Sequence, residues 1–139
     1  MDKKNSKSNR IVIFDDSKEA LERFDNIMKQ SKAEILQFRS NKLNELIIKK
    51  IQKFKPQLFV VDLLLGESKV DGYNLIKQIN RSEFKDIPIV VCSKLIGETV
   101  AGESEREQCR SMPGVVAAFS KFPNFPSPDT ILRFIKKEE

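Results

Sequence analysis

Five short β-prone runs, each stopped by a polar residue and separated from the next by a stretch with helical spacing, limit the folds open to this chain. Arg10 to Phe14 is followed by Asp15 and Asp16, and Ala33 to Phe38 reads as a second strand. Leu58 to Val61 stops at Asp62, Pro88 to Cys92 stops at Ser93, and Val115 to Phe119 stops at Ser120 and Lys121. Between them, Ser17 offers an N-cap for a helix with Ala20, Leu21, Phe24, Ile27 and Met28 on one face. Ser40 is placed as the cap of a second helix with Leu43, Leu46, Ile47 and Ile51 inward, ending before Pro56. A third starts at Asp71-Gly72 with Leu75, Ile76 and Ile79 inward, and a last one follows Ser127-Pro128 with Ile131, Phe134 and Ile135 inward. The stretch after Ser93 reads as a long loop to about residue 103. A short helix follows it, opened by the capping-box spacing Ser104-x-x-Glu107 and ended by Pro113-Gly114.

Strands alternating with helices imply parallel βαβ units, and near-continuous apolar strands imply helices on both faces. The fold class is therefore α/β, a doubly wound five-stranded parallel sheet. Residues 1–9 read as a disordered basic tail and residues 10–139 as one domain. The start of the chain matters to the charge: within residues 1–10, Lys3, Lys4, Lys7 and Arg10 against Asp2 account for most of the formal net +5. A body so close to neutral, with no basic stripe interleaved with aromatics, argues against nucleic-acid binding through this domain. With no His, a histidine base, a histidine metal ligand and a histidine-based triad are excluded. Cys92 and Cys109 are too few for a zinc site or a disulfide framework and read as small buried hydrophobes of a reducing, cytoplasmic compartment. No apolar run approaches the length of a membrane span.

In an open parallel sheet, ligands bind outside the carboxyl ends of the strands. Asp15, Asp16, Asp62, Ser93 and Lys121 all fall at such ends and converge on one edge. Close carboxylates repel by about 4 kcal/mol per pair at an intermediate dielectric. A hard divalent ion such as Mg²⁺, held by oxygens, would offset this. Carboxylates, metal, ammonium and hydroxyl around one point suit the handling of a phosphoryl group.

These pieces, in this order, resemble the response regulator receiver domain: Ile-Phe-Asp15-Asp16-Ser, Phe-Val-Val-Asp62-Leu-Leu-Leu-Gly, Asp71-Gly-Tyr-Asn-Leu, Ile-Pro-Ile-Val-Val-Cys-Ser93 and Phe-Ser-Lys121. The resemblance covers nearly all of residues 9–138. It implies a flavodoxin-like sheet of order 2-1-3-4-5, known from receivers of this kind. It implies that Asp62 accepts a phosphoryl group from a sensor histidine kinase or phosphotransfer protein. Mg²⁺ would be bound by Asp15, Asp16, Asp62 and the backbone carbonyl of Leu64. Ser93 and Lys121 would contact phosphoryl oxygens. The missing histidine then lies on the donor. Such a protein is a phosphoacceptor rather than a turnover enzyme, and it signals by a conformational change around the fourth helix, fifth strand and fifth helix. It is expected to be a monomer or weak homodimer with an unknown output partner. With no output domain after the last helix of this sequence, it is either a stand-alone regulator or a piece of a longer regulator or hybrid kinase.

Several positions depart from the pattern. Lys94 stands where a small residue usually follows the hydroxyl. Ala118 occupies the aromatic switch position, with Phe119 one place later. Phe122 separates Lys121 from Pro123, so the family's cis peptide is not to be assumed. The Asp62–Asp71 loop and the Ser93–Lys121 segment are both long. These departures keep a second reading open, a non-phosphorylated receiver-like adaptor that acts through protein–protein contacts. A phosphatase of the haloacid dehalogenase type is disfavoured, because its Asp-x-Asp nucleophile motif comes first and its acidic pair last.

Overall fold

The computed structural model describes residues 8–135, apart from Glu67 and Glu98. Most of the expected tail and the last four residues lie outside that range. Five parallel strands, β1 (Asn9–Phe14), β2 (Ala33–Phe38), β3 (Leu58–Val61), β4 (Ile89–Cys92) and β5 (Val115–Phe119), form one sheet in the order β2-β1-β3-β4-β5. This is the doubly wound, flavodoxin-like arrangement expected. β1 starts at Asn9, inside the expected tail, because Asn9 is already in register with Ala33.

Successive side chains of a strand point to opposite faces, and this divides the core in two. Val12, Phe14, Phe59, Val61, Ile89 and Val91 face one side, where α2 (Glu45–Phe54), α3 (Lys69–Asn80) and α4 (Val100–Arg110) cover them. Ile11, Ile13, Leu58, Val60, Val90 and Cys92 face the other, under α1 (Lys18–Met28) and α5 (Pro128–Leu132). Both sets are buried, which is why these strands read as apolar runs rather than alternations. Phe14, Phe24 and Phe59 are among the largest side chains fully enclosed, each contributing about 2–3 kcal/mol by removal from water. Cys92 and Cys109 are buried free thiols.

Two helix starts follow the sequence: Ser17 Oγ accepts from Ala20 N, and Ser127 Oγ accepts from Thr130 N, with Pro128 at the first position. Three differ. The α2 cap is Asn44, whose side chain accepts from Ile47 N, while Ser40 bonds within the preceding turn at Lys42. A start at Asn44 turns Leu46 outward, 62% exposed, in contrast to the inward place expected for it. Ser68 caps α3, which begins two residues before Asp71. The largest correction concerns α4. Its cap is Thr99, accepting from Gly102 N, so the helix starts about four residues before the place expected for it, and Ser104 and Glu107 lie within it rather than forming a capping box.

The reason lies in packing rather than propensity. Gly102 looks like a helix interruption, but a Cβ there would lie 2.5 Å from the backbone N of Gly97. Glycine is the residue that lets α4 sit against the β4–α4 loop. Gly72 plays the same part in α3: its Cβ would collide with the backbone of Leu63, whose carbonyl accepts from Gly72 N at 2.9 Å. Gly72→Ala is therefore expected to destabilise the fold by about 2 kcal/mol or more, although alanine is the better helix former. Urea unfolding of the two chains measures this, and equal midpoints would refute the close-approach account.

Candidate functional site

Asp15, Asp62 and Ser93 each stand one residue beyond a strand, and register brings them to the same sheet edge. Phe14 is opposite Val61, so Asp15 and Asp62 follow side by side. Their backbones are held in place: Asp15 N donates to Phe38 O at 3.1 Å, Asp62 N to Phe14 O at 3.0 Å, and Ser93 N to Phe119 O at 3.0 Å. Lys121, two residues past β5, reaches back across this edge. Its ammonium donates to Asp15 Oδ2 at 2.7 Å and to Asp62 Oδ2 at 2.9 Å. The other oxygens are engaged by neighbouring backbone, Asp15 Oδ1 by Ser17 N at 2.9 Å and Asp62 Oδ1 by Leu64 N at 3.2 Å.

All three charged groups are buried. Burial, followed by the charge of Asp62, pushes the Asp15 carboxyl above its usual range despite Lys121. For Lys121, burial alone would favour the neutral amine. The carboxylates of Asp62 and Asp15 outweigh it and hold the ammonium above its ordinary pKa. One cation between two buried anions leaves the cluster short of positive charge.

The cluster opens to a cavity of about 360 Å³. Asp16, exposed, lines it together with Asp62, Leu64 and Lys121, so four of the expected residues share one space. Ser93 is fully buried, and its Oγ accepts from Leu95 N at 3.3 Å within its own loop. Among the described residues, no three acidic, His or Cys side chains are drawn together in a geometry that would clasp a metal ion. The donor set is nevertheless suited to a hard divalent cation: carboxylate oxygens with spare lone pairs, a loop carbonyl at Leu64, and a deficit of positive charge.

Two further walls of the cavity were not anticipated from the sequence. Ser17, Ala20 and Arg23 recur at helical spacing on α1, and that spacing was the available signal for Arg23. Phe122, 73% exposed, forms the rim, and the cis peptide bond in this loop is Phe122–Pro123, one residue later than the family pattern. A second cluster lies between α3 and α4. Glu105, nearly buried, accepts from Lys69 Nζ at 2.9 Å and from the Tyr73 hydroxyl, which also lies 3.5 Å from Cys109 Sγ. Burial alone would raise the Glu105 pKa, but the bonds from Tyr73 and Lys69 bring it below the ordinary value. On the far side of α4, Arg106 Nε donates to the carbonyl of Ala118 at 3.2 Å.

The family model "Response regulator receiver domain" matches residues 11–108. Solved structures share the fold. A CheY-like receiver domain of Methylobacillus flagellatus superposes with TM-score 0.66 at 16% identity, covering 94% of this chain and 100% of that one. A response regulator of Chloroflexus aurantiacus gives 0.64 at 21%, covering 91% and 93%. A chemotaxis response regulator of Vibrio cholerae gives 0.63 at 16%, covering 91% and 95%. Comparison with curated proteins gave no match. The parallel sheet of order 2-1-3-4-5 is the fold that these structures share with this chain. The chain belongs to the response regulator receiver domain family.

Two outcomes follow from these electrostatics. At neutral pH the ionised Asp15 is held at a cost to the folded state, so Asp15→Asn is expected to raise stability by about 1 kcal/mol, as an increase in Tm; a lower Tm would mean that the bond to Lys121 outweighs burial and repulsion. Glu105 has its folded pKa below the unfolded value of 4.5, so its stabilising contribution is complete above that value and is lost as pH falls through the folded pKa. Glu105→Gln is expected to flatten the stability–pH curve below about 4.5, as measured by urea unfolding at a series of pH values.

Proposed function

We propose that this receiver domain accepts a phosphoryl group on Asp62 from a sensor histidine kinase or a histidine phosphotransfer protein. The observation that carries the reading is the Lys121 ammonium shared between Asp62 and the buried Asp15, at the floor of a cavity open to solvent. In the transfer, an Asp62 carboxylate oxygen forms a bond to phosphorus while the bond from phosphorus to the donor's imidazole nitrogen breaks. The electron pair of the broken bond leaves with the imidazole. The Lys121 ammonium, bonded to Asp62 Oδ2, aligns the carboxylate for attack. Lys121 then remains beside the new phosphoryl group and balances part of its charge.

Asp15, Asp16, Asp62 and the Leu64 carbonyl are the residues that would hold Mg²⁺. Bound there, the ion neutralises charge on the phosphoryl oxygens during transfer. Ser93 would give up the bond from Leu95 N and offer its hydroxyl to the modified Asp62. Because β4 and β5 carry Ser93 and Lys121, a new dianion at this edge pulls on the loops that lead into α4 and α5. That is the route by which we read phosphorylation as signal. The departure is Ala118, whose small side chain cannot act as an aromatic switch. Its carbonyl instead holds Arg106 of α4, so α4 is tied to β5 by a hydrogen bond. The compartment proposed is the cytoplasm; no helix among the described residues is long and apolar enough to cross a membrane.

Intact mass after incubation with acetyl phosphate and Mg²⁺ tests the reading. One phosphoryl adduct is expected on the native chain and none on Asp62→Asn or in the presence of a chelator. A folded chain that binds Mg²⁺ yet takes neither a phosphoryl group nor beryllofluoride would overturn it in favour of the non-phosphorylated adaptor.

A further inference from the structure

Lys121 is poorly placed to attract a donor. It is buried and already bonded to two carboxylates. Asp15, Asp16 and Asp62 together outnumber it, and a dianion approaching such a site with no other cation would be repelled. Two more cations line the same cavity from different walls. Lys94 comes from the loop after β4, and Arg23 from α1, on the cavity-facing stripe that includes Ala20. With them, three cations line the cavity against the two carboxylates of Asp16 and Asp62, and the buried Asp15 behind it brings the site to balance.

Both cations stand on fixed backbone. Lys94 lies between Ser93, whose N donates to Phe119 O, and Leu95, whose N donates to Ser93 Oγ. Arg23 is flanked on its helix by the buried Ala20, Leu21 and Phe24. Both side chains are exposed, so they need lose little hydration to meet a ligand, and their apolar stems can lie along the cavity wall. The guanidinium of Arg23 offers a planar fork for two phosphoryl oxygens, and the Lys94 ammonium a mobile point charge. The cavity has room for a phosphate group and its waters.

We propose that Lys94 and Arg23 form a receiving site for the phosphoryl dianion of the donor, which they hold at the mouth of the cavity before it reaches Asp62. Its role in transfer rests on Asp62 being the acceptor; its capacity to bind does not. The site reads the phosphoryl group itself, whether on a small phosphoramidate or acyl phosphate or on a phosphohistidine. Since its contacts precede attack, they lower KM and leave kcat nearly unchanged.

The probe for binding is inorganic phosphate, titrated into ¹⁵N-labelled native chain, Lys94→Ala, Arg23→Ala and the double variant. Phosphate is expected to shift the amides of Ser17, Gly66 and Lys94 in the native chain. Each single variant should bind about five-fold more weakly, the size of one exposed charge contact, with the rest of its spectrum native. Phosphorylation by phosphoramidate, acetyl phosphate and a phosphohistidine peptide gives the second readout. A KM raised several-fold for all three donors in the double variant, at similar kcat, assigns the site to the shared phosphoryl group. A rise confined to the small donors assigns it to free phosphodonors. Unchanged phosphate affinity and unchanged KM in a folded double variant would overturn the proposal while leaving Asp62 as acceptor. Phosphate binding that depends on Lys94 and Arg23, in a native chain that forms no adduct, would uphold the receiving site and reject the acceptor reading.

Discussion

One buried ammonium joins the ends of three strands. Lys121 bonds both Asp15, beyond β1, and Asp62, beyond β3, from its own place beyond β5. Removing Lys121 would leave two buried carboxylates without their partner, a large perturbation for a fold of marginal stability. The arrangement depends on the parallel sheet. Only strands that all run the same way deliver their terminal residues to one edge, and only in-register pairing sets Asp15 beside Asp62. The helices on both faces are what make such a sheet stable.

The surrounding loops are positioned from the helices. Gly72 lets α3 approach Leu63, next to Asp62, while Gly102 lets α4 approach Gly97, in the loop that carries Lys94. Lys69 and Tyr73 of α3 converge on Glu105 of α4. The two segments that flank the cavity, one after β3 and one after β4, are thus tied to each other through a nearly buried polar cluster away from Asp62. Each member is bonded, so the network adds a defined geometry between two helices at modest cost.

Local reading succeeded where one physical signal dominated. The strands declared themselves because both faces are covered, and Ser17 and Ser127 were legible as caps because each directly precedes its helix, Ser127 with Pro128 at the first helical position. It failed at the start of α4, where Gly102 looked like an interruption and residues up to about 103 were read as loop. There the close approach of two backbones, invisible in propensity, outweighed the intrinsic cost of glycine in a helix. Leu46 was misplaced because Asn44, rather than Ser40, sets the phase of α2. Glu105 escaped notice because a carboxylate among charged neighbours reads as a solvated face until Tyr73 and Lys69 are brought to it from 32 and 36 residues away.

The sequence by itself determined the fold class, the strand ends and the set of oxygen and ammonium groups delivered to them, since these follow from local periodicity and from the rule that parallel strands share a carboxyl edge. Tertiary structure decided which groups actually meet. It paired Lys121 with both Asp15 and Asp62, turned Ser93 toward its own loop, and brought Arg23 and Lys94 into the lining of one cavity. Those contacts join residues far apart in the chain, and no local spacing encodes them; they exist only once the sheet and its covering helices have fixed the distances.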